Sequence, residues 1–238
     1  NAATAVTGSS TLDTSVPTGH SISFDDSNIS SSEASSISLT MAGAEVGATY
    51  SYSISSSGGG TPVTGSGTIS SAGQPISGVD VSGLSDGTLT VSLVLTDSAG
   101  NAATAVTNTT TLDANAPSGH SISFDDATIN TSEASSISLT MAGAEVGATY
   151  SYSISSSGGG TPVTGSGTIS SAGQQLSGVD VSGLSDGTLT VSLVLTDSAG
   201  NAASAVTNTS TLDTTAASGH SISFDDSLIS SSEASSIS

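Results

Sequence analysis

The residues able to do chemistry in this 238-residue chain are almost all acids. Twenty Asp and Glu stand against no Lys, no Arg, no Cys and three His, for a formal charge of −20. No side-chain ion pair can form except through His, so carboxylates gathered by folding must face water or a bound cation. Oxygen donors in excess, without thiols, suit a hard divalent ion, Ca²⁺ above all. The acids recur at a fixed spacing: Asp25, Asp26, Glu33, Asp86 and Asp113 return 100 positions later as Asp125, Asp126, Glu133, Asp186 and Asp213. These ten are the candidate calcium ligands, with Asp113 and Asp213 as linker ligands. The same composition closes off other chemistry. Nothing can neutralise nucleic-acid phosphates, and an anionic membrane surface would repel the chain. Lys–Asn isopeptide cross-links and disulfides are both excluded.

Other motifs carry less. No EF-hand loop and no Gly-Gly-x-Gly-x-Asp nonapeptide is present. Asp80 is expected in a strand, facing outward. Asp97-Ser98-Ala99-Gly100-Asn101 reads as a hairpin turn whose Asp and Asn bond the backbone. Ser57-Gly58-Gly59-Gly60 is a loop and not a phosphate cradle, since no strand-to-helix step follows. His20, His120 and His220 sit beside Gly ahead of the first strand of each copy, and are read as exposed and inert. Ser, His and Asp are too plentiful for a triad on paper to mean anything, and no nucleophile elbow is present. Catalysis is not expected. Asn28, Asn108, Asn130 and Asn208 begin Asn-x-Ser/Thr triplets, which arise by chance in so Ser/Thr-rich a chain.

The elements that must position the acids are strands, repeated twice. Residues 1–100 and 101–200 differ at 13 positions, so the repeat unit is a whole domain of 100 residues. A domain of about that size can bury a core without staples. Val, Ile, Leu and Thr alternate with Ser and Thr, and Gly, Pro and Asp punctuate at short spacing. Seven strands are predicted: Ser21–Phe24, Ser35–Met41, Thr49–Ser55, Pro62–Ile69, Gln74–Val81, Thr88–Thr96 and Ala103–Leu112. In the sixth, Leu89, Val91, Leu93 and Leu95 face one way and Thr88, Thr90 and Ser92 the other, as in a half-buried antiparallel sheet. No helical stripe competes. The fold class is all-β: tandem immunoglobulin-like seven-stranded antiparallel β-sandwiches in a linear array. The repeats are expected over 14–113 and 114–213, with 1–13 the last strand of a preceding repeat and 214–238 the first strands of a following one. The missing start Met, and the absence of a signal peptide or an apolar run long enough to span a membrane, fit a segment of a longer protein.

Topology then places the acids. Successive strands of such a sandwich reverse direction, so the chain enters at one end and leaves at the other. Asp25, Asp26, Glu33, Asp86 and Asp113 fall in loops at the outgoing end. Glu145, Asp197 and Asn201 fall at the incoming end of the next repeat. The junction between repeats thus gathers acidic oxygens with no basic partner.

Ala44-Glu45-Val46-Gly47-Ala48-Thr49-Tyr50, Leu84-Ser85-Asp86-Gly87-Thr88-Leu89 and Thr96-Asp97-Ser98-Ala99-Gly100-Asn101 resemble the bacterial immunoglobulin-like repeats of giant surface adhesins. The Asp13-to-Pro17 linker is similar to those of such arrays, although Ala216-Ala217 replaces its Val-Pro at the third junction. The resemblance implies stalk domains, often calcium-stiffened, that hold a terminal binding domain away from the cell.

The expected function is therefore an extender of a secreted or surface-anchored bacterial adhesin. Its partners are neighbouring repeats, with lateral self-association through divalent cations as a further partner class, and neither nucleic acid nor membrane insertion. An extracellular matrix filament, or a carbohydrate- or ice-binding module, is the alternative.

Overall fold

In a computed structural model the described residues are 4, 6–223, 227–229, 231 and 234. They contain two copies of one all-β sandwich. Repeat 1 has β1 (Ser21–Phe24), β2 (Asn28–Ile29), β3 (Ile37–Ala42), β4 (Thr49–Ser56), β5 (Val63–Thr68), β6 (Pro75–Val79), β7 (Gly87–Thr96) and β8 (Val106–Leu112). Repeat 2 has β9 (Ser121–Phe124), β10 (Thr128–Ile129), β11 (Ile137–Ala142), β12 (Thr149–Ser156), β13 (Val163–Thr168), β14 (Gln175–Val179), β15 (Gly187–Thr196) and β16 (Val206–Leu212). One sheet runs β2-β8-β7-β4-β5 and faces a smaller one, β1-β3-β6; repeat 2 duplicates both.

Alternation explains the layering. Along β7 the side chains of Leu89, Val91, Leu93 and Leu95 are fully buried, while the intervening Thr and Ser reach the outer face. Leu39 and Met41 of β3 and Ile54 of β4 close the same core. Each such aliphatic side chain taken from water contributes about 1.5–3 kcal/mol. Tyr50 and Tyr52 stack with centroids 6.5 Å apart and lie across Gly67 and Gly65 of β5, where any side chain would run into the rings.

Each repeat has an eighth strand that alternation could not show, because β2 is only two residues long. It pairs parallel with the end of β8, Asn28 opposite Thr111 and Ile29 opposite Leu112. That pairing anchors the following turn, closed by the Ala34 N–H on the Ser30 carbonyl at 3.0 Å, at the outgoing end.

Residues 6–13 form no strand. Their counterpart β8 is held by pairing with β7; residues 1–3 and 5 of the same expected strand lie outside the described residues. The opening strands expected in 214–238 fall partly on residues 224–226, 230, 232, 233 and 235–238, which lie outside the described residues; the described ones there form no strand. Asp80 is not a strand residue. It follows β6 and accepts hydrogen bonds from the Ser82 N–H (2.9 Å) and hydroxyl (2.6 Å), a local turn that raw alternation disguises.

Candidate functional site at the junction between repeats

The loop between β15 and β16 builds a small polar device at the incoming end of repeat 2. Asp197 accepts on Oδ1 from the N–H groups of Ala199 (2.9 Å) and Asn201 (2.8 Å). Its Oδ2 accepts from Asn201 Nδ2 at 2.8 Å. The carboxylate thereby fixes which way the Asn201 amide faces. Burial pushes the Asp197 carboxyl up, but the Asn201 side chain and the N–H groups of Asn201, Gly200 and Ala199 together hold it below the ordinary value.

The oriented amide reaches across the junction. Asn201 Nδ2 donates to the Asp113 carbonyl at 2.7 Å, and its Oδ1 accepts from the Ser31 N–H at 2.9 Å. One side chain therefore holds both the start of the linker and the outgoing turn of repeat 1. Asp197 and Asn201 are 6% and 4% exposed, so these bonds are sheltered from water. The sequence had placed Asn201 at this face but read it as a turn residue. It is both.

Repeat 1 carries the same device at Asn101. Asn101 makes the same bond to Asp97 Oδ2 at 2.8 Å and reaches the Asp13 carbonyl at 3.1 Å. Its Oδ1 finds no donor among the described residues, and it is only half-buried. The histidines, by contrast, agree between the repeats: in both His20 and His120 the two ring nitrogens are buried without a hydrogen-bond partner. Both were expected to be exposed; His120 is 8% exposed and His20 half-buried.

The candidate calcium ligands lie in loops and linkers, in separate local arrangements. Asp86 holds the linker, accepting the Ala114 N–H at 2.9 Å and the Asn115 side-chain amide. Asp113 accepts the Asn115 N–H at 3.2 Å. In repeat 2, Asp186 accepts from the Thr214 N–H and hydroxyl (2.8 and 2.7 Å) and the Thr215 hydroxyl (2.6 Å). Led by the Thr215 hydroxyl, these donors lower its pKa. Asp213 accepts the Thr215 N–H at 3.1 Å. Glu33 caps its own turn through the Ser30 N–H (2.9 Å) and hydroxyl (2.8 Å), with its pKa lowered chiefly by that N–H; Glu133 does so through the Asn130 N–H at 3.0 Å.

Asp125 departs from the expected group. It lies back along the smaller sheet, accepting from Thr140 Oγ1 (2.7 Å) and Gln175 Nε2 (2.6 Å). In repeat 1 position 75 is Pro, which has no donor to hold Asp25 that way. The side chains of Asp25, Asp26 and Asp126 are exposed. Among the described residues, no three His, Asp or Glu side chains converge to hold a metal ion. As arranged, the carboxylates bind N–H and O–H groups, and the oxygen-rich shell of six to eight ligands that calcium takes is not assembled.

No protein-family model matches the chain, and no curated protein does. Solved structures do. The chain is similar to a tetra-tandem repeat in the extending region of a large adhesion protein, with 26% identity over 83% of this chain and 50% of that one, at a TM-score of 0.39. It is similar to a structure bearing on host cell surface retention of a 1.5-MDa bacterial ice-binding adhesin, with 24% identity, 85% and 67% of the two chains and a TM-score of 0.49. Bacterial adhesin repeats are among its structural neighbours. Fibronectin(III)-like modules of CbhA from Clostridium thermocellum also match, at 10% identity over 85% of this chain and 100% of that one, with a TM-score of 0.41. The chain spans half the length of the first of these structures.

Proposed function

We propose that this chain is a run of spacer repeats in the stalk of a secreted or surface-anchored adhesin, and that its function is to set distance and stiffness. The observation that carries the reading is the Asn201 clamp, which ties repeat 2 to both the linker and the outgoing turn of repeat 1. Such a device holds the angle between repeats. A flexible bead chain has no need of it, and it serves no catalysis. The repeat itself supplies length: the ten residues of β7 span about 33 Å at ~3.3 Å each, so each repeat with its loops adds roughly 40 Å. The resemblance of the loop motifs to adhesin extenders supports the same reading, and with it a location outside the cell.

Calcium stiffening is a second reading, favoured by one feature. Asp86 and Asp113 already hold successive linker residues, Ala114 and Asn115. A cation between those carboxylates would tie down the same segment, once the present N–H donors had moved aside.

Small-angle scattering on the chain, in chelator and in calcium, tests both. An extended particle in chelator supports the clamp, and further stiffening in calcium supports the second reading. A freely jointed pair under both conditions removes the stalk mechanism.

A further inference from the structure

Charge and edges are distributed unevenly in this molecule. No strand of either repeat contains an acidic residue, so among the described residues every Asp and Glu lies in a loop or linker. The strands of a chain carrying −20 are thus themselves uncharged, with Ser and Thr outward, although Asp180 borders the surface beside β13 and Asp125 lies back along the smaller sheet.

Edge strands are sites of unwanted pairing unless blunted, and three of the four edges of repeat 1 are blunted. Strand β2 is two residues long, and beside the rest of β8 lies the β1 segment, held by Asn108 on the Phe24 N–H and by the Thr110 hydroxyl on the Asp26 carbonyl. Along β1, the Phe24 N–H is taken by the Asn108 side chain at 3.2 Å. Strand β6 starts with Pro75, and its register shifts beside Gly78, whose φ is +71°. The fourth edge, β5, has six residues, Val-Thr-Gly-Ser-Gly-Thr, with no charge, no proline and no bulge. Among the described residues no loop or side chain bonds the backbone of Val63–Gly67 beyond its pairing with β4. Strand β13 repeats this feature by feature. A half-exposed apolar strip runs beside it, formed by Tyr150, Tyr152, Val163 and Leu176.

We propose that β5 and β13 are self-association edges, on which a second copy of this chain lays its own β5 and β13 antiparallel, joining the five-stranded sheets of two stalks. The repeat period selects that occupant: the edges recur every 100 residues, and only an array of the same period can engage all of them at once. Each further pairing is then intramolecular and gains from effective concentration. The strand suits itself as partner, because small uncharged side chains oppose one another across a two-fold axis without clash or repulsion. The strip of Tyr and Val beside the edge is covered at the same time. The acidic ends of the two chains come alongside in bands, so pairing strengthens as salt shortens the screening length from about 8 Å at ~0.15 M to about 3 Å at ~1 M. This goes beyond the stalk reading, which concerns one chain.

The test is sedimentation of the full chain with rising NaCl in chelator. Wild type should move from single to doubled mass. A variant carrying Thr64→Asp, Ser66→Asp, Thr164→Asp and Ser166→Asp should dimerise about tenfold more weakly or worse, from like charges set opposite each other. The control carries the same added charge on the outer face of the central strands β7 and β15, Thr90→Asp, Ser92→Asp, Thr190→Asp and Ser192→Asp, and should dimerise like wild type at equal salt. Unchanged circular dichroism shows that all three fold. A wild type that stays monomeric overturns the proposal, as does an edge variant that associates like the control. A monomeric wild type that binds free Val63–Thr68 peptide makes the occupant some other extended segment, and overturns it too.

Discussion

Replacing Asn201 by Ala is the sharpest test of the junction. The change removes two bonds across the junction, to the Asp113 carbonyl and from the Ser31 N–H, and one within the loop, to Asp197. A neutral hydrogen bond contributes about 0.5–1.5 kcal/mol net, so the two cross-junction bonds together hold the docked geometry by about 1–3 kcal/mol. A tenfold change in an equilibrium corresponds to about 1.4 kcal/mol. The ratio of docked to undocked pairs should therefore fall about fivefold to a hundredfold. The loss within the loop must be separated out, and Asn101→Ala does so. That residue makes the same bond to its own aspartate, but reaches only the Asp13 carbonyl. The assay is a distance distribution between labels at Ser66→Cys and Ser166→Cys, both exposed in a chain free of native cysteine. Thermal melts of the two variants run alongside. Asn201→Ala should broaden the distribution, while Asn101→Ala leaves it as in wild type. Equal destabilisation by both, with no broadening from either, would reduce Asn201 to an ordinary turn residue and refute the clamp.

Further expectations follow from the same contacts. The carboxyls of Asp97 and Asp197 are held below their ordinary value, the first mainly by the Asn101 side chain. Their stabilising effect is present above the unfolded pKa of about 3.9 and is lost as pH falls through the lower folded value. The melting midpoint should drop on acidification through that window, and Asp97→Asn with Asp197→Asn should flatten the drop. Gly58→Ala should cost about 1–3 kcal/mol, because its new Cβ would overlap the Asp86 carbonyl oxygen of the chain; Gly83→Ala, with nothing nearby, should be close to neutral in the same denaturant titration. Calcium should raise the melting midpoint, and Asp86→Asn should abolish the rise; an identical midpoint in chelator and calcium removes that reading. With no Lys or Arg, the segment should survive trypsin even when unfolded, as gel analysis would show.

The strands were legible because each buries one face. Leu89, Val91, Leu93 and Leu95 announce β7, and Ile37, Leu39 and Met41 announce β3, since a single apolar partner layer forces period two. The same alternation ordered the loops that carry the acids. It could not say what each side chain does there. Glu33 bonds its own turn three residues back, and Asp113 bonds two residues ahead; local donors of this kind compete with any shared cation, and a count of carboxylates does not register them. Asp125 is drawn away by Gln175, fifty positions along and absent from the other repeat. Asn201 was hidden for the opposite reason. Its motif is a sound turn motif, and only the approach of the preceding repeat gives its amide a second task.

The placement of charge bears on stiffness in its own right. The acids concentrated in the linkers and the loops beside them repel along the chain axis more than across it. Between two repeats that field pushes the ends apart and favours the straightened linker, with a reach of about 8 Å at physiological salt. Repulsion favours extension but does not fix how one repeat is turned about the linker, because it is undirected. The Asn201 amide supplies what repulsion lacks: a short-range, directional hold on the linker carbonyl of Asp113 and the N–H of Ser31. Extension by like charge and orientation by a buried amide are therefore complementary. High salt should soften the first and leave the second intact, so a chain carrying Asn201→Ala in high salt should be the most flexible of all, more so than either change produces alone.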